Sequence, residues 1–286
     1  MIQPFEARIS FGEAVFFFST GLLRSKWTIW PFGRDRPMRQ PLAVVILAAG
    51  KGKRMNSDLP KVMFPIDGRP SLHYPLEAAR ALSPQRIVVV VGHEAGTVRE
   101  AFRYTELEFV LQAEQLGTGH AVLVTRSVLS DFEGTILVLY GDGPLIRWQT
   151  LDHLLRTHWN EESDVTLLTC RREDPTGYGR IVLDAAGRLE KIVEENDCDE
   201  ETRAIRVVNS GIAAYRSADL FRFLERIGNH NAQQEYYLTD LPEIMTGNGR
   251  KIGMLNHDDT EELDGFNSLE QYEAVCEAFR VRRGQS

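Results

Sequence analysis

The chain has 286 residues, 43% of them hydrophobic, and 33 Lys plus Arg against 41 Asp plus Glu give a net charge of −8. That length holds one large α/β domain or two small ones with ample core. The acidic balance argues against nucleic acid or a membrane surface as partner, so an anionic substrate must be met by a local basic cluster. The three cysteines (Cys170, Cys198, Cys276) are far apart, and the seven His show no His-Glu-x-x-His spacing. Neither a disulfide framework nor a zinc site is expected, and a cytoplasmic setting is the default.

In chain order, residues 1–37 are aromatic-rich and lack a clear period. The apolar stretch from Ala14 to Leu23 is about half the ~18 residues of a membrane span, and it follows Glu6 and Glu13 where a signal peptide would be basic. Met38 stands just before the first strand, so the native product is expected to begin there, with 1–37 an extension. Leu42 to Ala49 is a short apolar run without alternation, which suits a strand buried on both faces of a parallel sheet. The chain then turns through Gly50 and Gly52 among Lys51, Lys53 and Arg54, with Lys61 following a Pro. A glycine turn after a buried strand, lined with cations, suits phosphate; the plain alternative is a solvated basic turn. Gly50 and Gly52 are too close for a Walker loop, and Met55 occupies the third glycine position of a dinucleotide fingerprint.

Further along, helical spacing runs from Ser71 to Leu82, a buried strand from Ile87 to Val91 and a short helix from Thr97 to Tyr104. A strand is predicted from Glu108 to Gln112, a helix from Gly119 to Leu129 and a third buried strand from Thr135 to Tyr140. Strands alternating with helices predict a doubly wound, mostly parallel, Rossmann-like α/β sheet. From Asp164 the texture changes. Strand-like segments at 164–169, 179–183, 188–193 and 211–215 predict a smaller mixed-sheet region, followed by helices at 217–227, 235–246 and 268–281.

Three further motifs carry chemistry. Tyr140-Gly-Asp142-Gly-Pro closes a strand with an acid, a natural Mg²⁺ ligand where phosphates complete the shell; alone it also reads as an Asp-Gly turn. Gln112 lies five residues before Gly117-Thr118. A Gln amide can pair a base edge, and Gly-Thr-Gly can open a helix toward a ligand, or Thr118 can simply cap it. Asn231 offers a second metal oxygen, or belongs to a loop before an amphipathic helix.

Together with Leu59-Pro-Lys61, Tyr178-Gly-Arg-Ile181, Ile192-Val-Glu194, Asn209-Ser-Gly211 and Asn231-Ala-Gln-x-Glu-Tyr-Tyr-x-Thr-Asp240, these blocks resemble one family in their order. It is the uridylyltransferase domain of bacterial N-acetylglucosamine-1-phosphate uridylyltransferases, matched from about Leu42 to Phe279. The resemblance implies one nucleotidyltransferase domain over 38–286, with a nucleotide-binding part (38–163) and a sugar-binding part (164–286). It implies UTP and N-acetylglucosamine-1-phosphate as substrates and Mg²⁺ as cofactor. Leu47, Ala48, Ala49, Gly50, Gln112, Gly117 and Thr118 would bind the nucleotide, with Lys61, which together with Arg54 would act in catalysis. Tyr140, Gly141, Gly179, Glu194 and Asn209 would bind the sugar, and Asp142 and Asn231 the metal.

Departures from the pattern are Lys53 for Thr, Ser210 for Thr and Gln234 where Gly is common. No hexapeptide repeats of the family's acetyltransferase β-helix occur in the sequence, so neither that activity nor its trimer is carried over. Transfer to another sugar-1-phosphate, or a catalytically weak nucleotide-sugar sensor, remain the alternatives.

Overall fold

The computed structural model describes residues 40–284 apart from 51, 53, 54, 56–58 and 104, together with two N-terminal strands. The chain divides into two units, Met1–Arg39 and Gln40–Ser286. In the first, β1 (Ala7–Phe11) and β2 (Ala14–Phe18) pair antiparallel.

The second unit begins with β3 (Leu42–Ala48), an antiparallel ribbon of β4 (Pro65–Ile66) and β5 (Arg69–Pro70), then α1 (His73–Ala81), β6 (Arg86–Val91) and α2 (Ala95–Ala101). It continues through β7 (Glu108–Leu111), α3 (Thr118–Leu123), α4 (Arg126–Leu129), β8 (Thr135–Tyr140) and α5 (Trp148–Asn160). The remainder comprises β9 (Val165–Arg171), β10 (Gly179–Leu183), β11 (Leu189–Val193), α6 (Glu200–Arg203), β12 (Val207–Arg216), α7 (Ser217–Leu224), α8 (Leu241–Thr246), β13 (Ile252–His257) and α9 (Leu269–Gly284).

One nine-stranded sheet has the order β11-β10-β12-β8-β3-β6-β7, with β9 paired to β12 and β13 paired to β9. The centre, β8-β3-β6-β7, is parallel. All seven residues of β3 are buried, because alternate residues feed opposite faces. Val44, Ile46 and Ala48 pack under α1 and α5 with Leu76 and Leu151. Ala43, Val45 and Leu47 join Val122, Leu220 and Leu241 on the other face. Each fully buried aliphatic side chain contributes about 1.5–3 kcal/mol. The mostly parallel α/β sheet read from the sequence is the fold observed, and the turns expected to take the nucleotide lie at the C-terminal ends of its parallel strands.

β12 is where the sheet divides. Its second half pairs with β8 (Ala213 opposite Val138) and its first half with β10 (Asn209 opposite Gly179). The register shifts between Asn209 and Ala213, and Gly211 there has φ +82°. A side chain on Gly211 would overlap the Tyr140 ring, so the bulge requires glycine.

Several predicted elements change. The helix expected over 119–129 is two, α3 and α4, with buried Thr125 between them donating its hydroxyl to Val122 O at 2.6 Å. The helix expected over 235–246 is delayed to Leu241, because the Tyr236 backbone is used by a neighbouring loop: its N–H donates to Leu116 O (2.8 Å) and its carbonyl accepts from Gly119 N (2.7 Å). The strand expected at 211–215 extends over Val207–Arg216 once the bulge is counted. A parallel edge strand, β13, is additional; its sequence IGMLNH has no strong strand pattern. Finally, Met55, Phe64, Ile66, Tyr74 and Phe266 form a third apolar cluster with Val275 and Phe279 of α9, bringing the C-terminal segment beside Met55, which follows the Gly50–Gly52 turn.

Candidate active site

The side expected to take the nucleotide is set by main chain. β3 ends at buried Ala48 and is followed by buried Ala49 and exposed Gly50. Gly52 has φ +57°, and a side chain there would lie 3.2 Å from Lys61 Cβ, so the turn closes on the residue that carries the fixed charge. Gly141 N donates to Leu47 O at 2.9 Å, joining the ends of β3 and β8. Arg54, like Lys51 and Lys53, lies outside the described residues.

Gln112 follows β7 and is buried; its amide nitrogen donates to Gly117 O and meets His120 Nδ1, both at 3.1 Å. With the NH₂ directed into the protein, the side-chain oxygen remains to accept from a ligand. Gly117 has φ +111°, and a Cβ there would lie 2.6 Å from Tyr236 O. Thr118 does not cap its own helix. Its hydroxyl accepts from Leu238 N at 3.0 Å.

On the side expected to take the sugar, Gly179 lies opposite Asn209 and beneath Glu194. A side chain at Gly179 would meet Ile192 at 2.9 Å and Glu194 Oε1 at 3.5 Å. Glu194 Oε1 accepts from Thr239 Oγ1 at 2.7 Å. Burial pushes the Glu194 carboxyl above its ordinary range, against the lowering effect of that hydrogen bond. Burial likewise raises Asp240, to about 6, aided by Glu243, Glu194 and Asp197. Asn209 Oδ1 is buried without a hydrogen-bond partner, an acceptor that a ligand donor can satisfy. Tyr140, whose ring lies on Gly211 and whose phenol bonds Thr118, joins the two sides.

The charged centre lies at the end of β8. Lys61 Nζ forms an ion pair with Asp142 Oδ2 and donates to Asn267 Oδ1 at 2.8 Å, while lying 5.8 Å from the centre of the Phe266 ring. A carboxylate oxygen and an amide oxygen therefore flank one ammonium group. The structure does not join Asn231 to Asp142. Its amide closes its own loop, Nδ2 donating to Glu235 O (2.6 Å) and Oδ1 accepting from Glu235 N (3.1 Å). Asn267, a residue the sequence reading passed over, instead places an amide oxygen beside Lys61 and Asp142. The available signal was slight: Ser268 and Gln271 form a capping pair at the start of α9, with Gln271 N on Ser268 Oγ (3.2 Å) and Asn267 N on Gln271 Oε1 (2.7 Å).

Among the described residues a second carboxylate and imidazole cluster, His257, Asp259 and Glu262, has metal-like spacing. Arg147 occupies it, bonding Glu262 through its main-chain N–H (2.9 Å) and Nε (2.7 Å), and Arg282 pairs with Asp259 at 2.7 Å. It is a structural ion-pair network.

A family model for the MobA-like NTP transferase domain matches residues 44–206. The chain belongs to this family. It is 45% identical over 243 residues to the bifunctional protein GlmU of Pelobacter propionicus, covering 85% of this chain and 52% of that protein. For the GlmU of Geobacter metallireducens the identity is 47%, with 85% and 50% covered. The chain thus spans about half the length of the curated relatives it matches, and the resemblance carried by the motifs holds. A UDP-glucose pyrophosphorylase solved with UDP-glucose superposes with a TM-score of 0.67 at 18% identity, covering 85% of this chain and 99% of that one, which shows the shared fold. Among the described residues no helix is long and apolar enough to cross a membrane.

Proposed function

We propose that this NTP transferase-family protein transfers a uridylyl group from UTP to N-acetylglucosamine-1-phosphate, giving UDP-N-acetylglucosamine and pyrophosphate. The observation that carries the reading is the Lys61 ammonium held between Asp142 and Asn267, beside the strand ends that form the glycine turn. One carboxylate and one neutral carbonyl are a donor set suited to Mg²⁺, which takes one or two protein oxygens and leaves the rest to phosphates and water. Asp142 and Asn267 would hold that ion, which when bound would neutralise charge on the phosphates.

The protein's own share is positional and electrostatic. The attacking oxygen of the sugar phosphate is already an anion, so no general base is needed. It forms a bond to the α-phosphorus as the bond to the bridging oxygen of pyrophosphate breaks. Repulsion between the two anions is the main barrier, and Lys61, together with Arg54, would reduce it. Gln112 would accept from a donor on the uracil edge, with Leu47 to Gly50, Gly117 and Thr118 forming the backbone cradle. Gly179, Glu194 and Asn209 would orient the amino sugar, with Tyr140 and Gly141 beneath it.

Pyrophosphate release from UTP plus N-acetylglucosamine-1-phosphate is the test, with glucose-1-phosphate and the other nucleoside triphosphates as comparators. The reading expects the N-acetyl sugar and UTP to be preferred. Preference for glucose-1-phosphate would contradict the sugar assignment, and no release with any pair would contradict the reaction itself.

A further inference from the structure

Outside the groups assigned to substrate, a side-chain knot joins the sugar side to the charged centre. Arg172, the residue after β9, directs one guanidinium nitrogen to Asp264 Oδ1 (2.5 Å) and to Thr260 O (2.8 Å), and the guanidinium stacks on the Tyr178 ring at 4.3 Å. Tyr178 Oη donates to the same Asp264 oxygen at 3.0 Å. Burial, reinforced by the Asp264 charge, pushes the Tyr178 phenol upward, so it remains a neutral donor at working pH.

Each end of the knot is anchored in a different part of the site. Tyr178 directly precedes Gly179, and its carbonyl accepts from Arg180, which is 1% exposed. Asp264 begins the stretch that ends at Asn267. Within that stretch a side chain on Gly265 would lie 3.2 Å from Asp142 Oδ2, and Phe266 is fully buried. Three residues span at most about 10 Å of chain, so displacement of Asp264 is transmitted to Asn267.

We propose that Arg172, Tyr178 and Asp264 form a positioning latch that holds the Asn267 arm over Asp142 and so couples the sugar-side strand to the cation-binding pair. The latch rests on the reading of Asp142 and Asn267 given above. Its residues lie outside the groups assigned to substrate and act through Asn267.

Two variants and two readouts test it. Arg172→Met removes the donor and the charge, whereas Tyr178→Phe keeps the ring under the guanidinium and removes one hydrogen bond. The first readout, amide hydrogen exchange without substrate, is expected to quicken at 264–267 by about 10-fold in Arg172→Met and about 3-fold in Tyr178→Phe, with β3 and β6 unchanged. The second is the Mg²⁺ concentration for half-maximal pyrophosphate release. It is expected to rise about 10-fold in Arg172→Met, with KM for the sugar phosphate within about 2-fold of wild type. Unchanged exchange at 264–267 overturns the latch, and faster exchange with unchanged Mg²⁺ dependence and turnover overturns its positioning role. Wild-type protein that releases no pyrophosphate would overturn the functional reading alone, and the exchange readout would still decide whether the latch exists. Should Arg172→Met fail to fold, Tyr178→Phe carries both measurements.

Discussion

The side proposed to take the nucleotide and the charged centre meet at the same strand ends but are built differently. The first is made of main chain from several segments: the Gly50–Gly52 turn, the Gly141 N to Leu47 O bond and the Gly117 turn closed on Tyr236. The second is made of side chains from distant ones, Lys61 and Asn267 being 206 positions apart. A backbone cradle is sensitive to shape, since a Cβ added at Gly117 would lie 2.6 Å from Tyr236 O. A side-chain centre is sensitive to charge, since its residues can be changed with little disturbance to the sheet beneath. Substitutions in the two regions should therefore fail in different ways.

The largest effect is expected at the charged centre. Lys61→Ala or Asp142→Ala should lower turnover about 100- to 1,000-fold, the scale for removing a transition-state charge partner, while the urea midpoint shifts little. A similar loss of stability and activity would erase the proposed contrast. Gly117→Ala should do the reverse, destabilising the fold by about 2–3 kcal/mol through a forced contact with Tyr236 O and an unfavourable φ. A melting curve that matches wild type would show that this turn can yield.

A smaller effect separates the sugar side from the packed sheet. Asp240 has its folded pKa raised to about 6 by burial and neighbouring acids. The folded state thus holds a proton that the unfolded state has lost, and stability falls as pH rises from about 4 to 6. His158, packed on β9 with Nδ1 3.0 Å from Thr166 Oγ1, is lowered to about 4 by burial, then by Arg216. There the unfolded chain binds the extra proton, so stability falls as pH drops from about 6.5 to 4. Urea titrations across this range should show Asp240→Asn removing the first slope and His158→Gln the second. Parallel curves for wild type and a variant would reject that residue's assignment. The smallest change is Gln234→Gly. Gln234 has φ +56°, and glycine there should stabilise by about 1 kcal/mol, measured by the same urea midpoint.

The same contrast explains what the sequence reveals. The apolar strands β3, β6 and β8 announce themselves, as does the glycine turn that follows β3, because pattern and motif are contiguous. Gln234 was visible as a departure from a common glycine, and its left-handed backbone supplies the physical reason glycine is common there. The division of the 119–129 helix was hidden, since Thr125 bonding to Val122 leaves no break in periodicity. Asn231 and Asn267 could not be distinguished from spacing. Either offers a carbonyl oxygen, and only the fold shows that one closes its own loop on Glu235 while the other faces Lys61. Of the latch at Arg172, Tyr178 and Asp264 only Tyr178 lies in a recognised motif, its members being drawn from two segments that meet only in three dimensions.

The most direct test of the account compares Asn267→Ala with Asn231→Ala in pyrophosphate release measured across a Mg²⁺ series. The account predicts that Asn267→Ala loses about 10- to 100-fold at low Mg²⁺ and recovers partly as Mg²⁺ is raised, whereas Asn231→Ala stays within about 3-fold of wild type throughout. A Mg²⁺-dependent loss in Asn231→Ala together with normal behaviour of Asn267→Ala would contradict it.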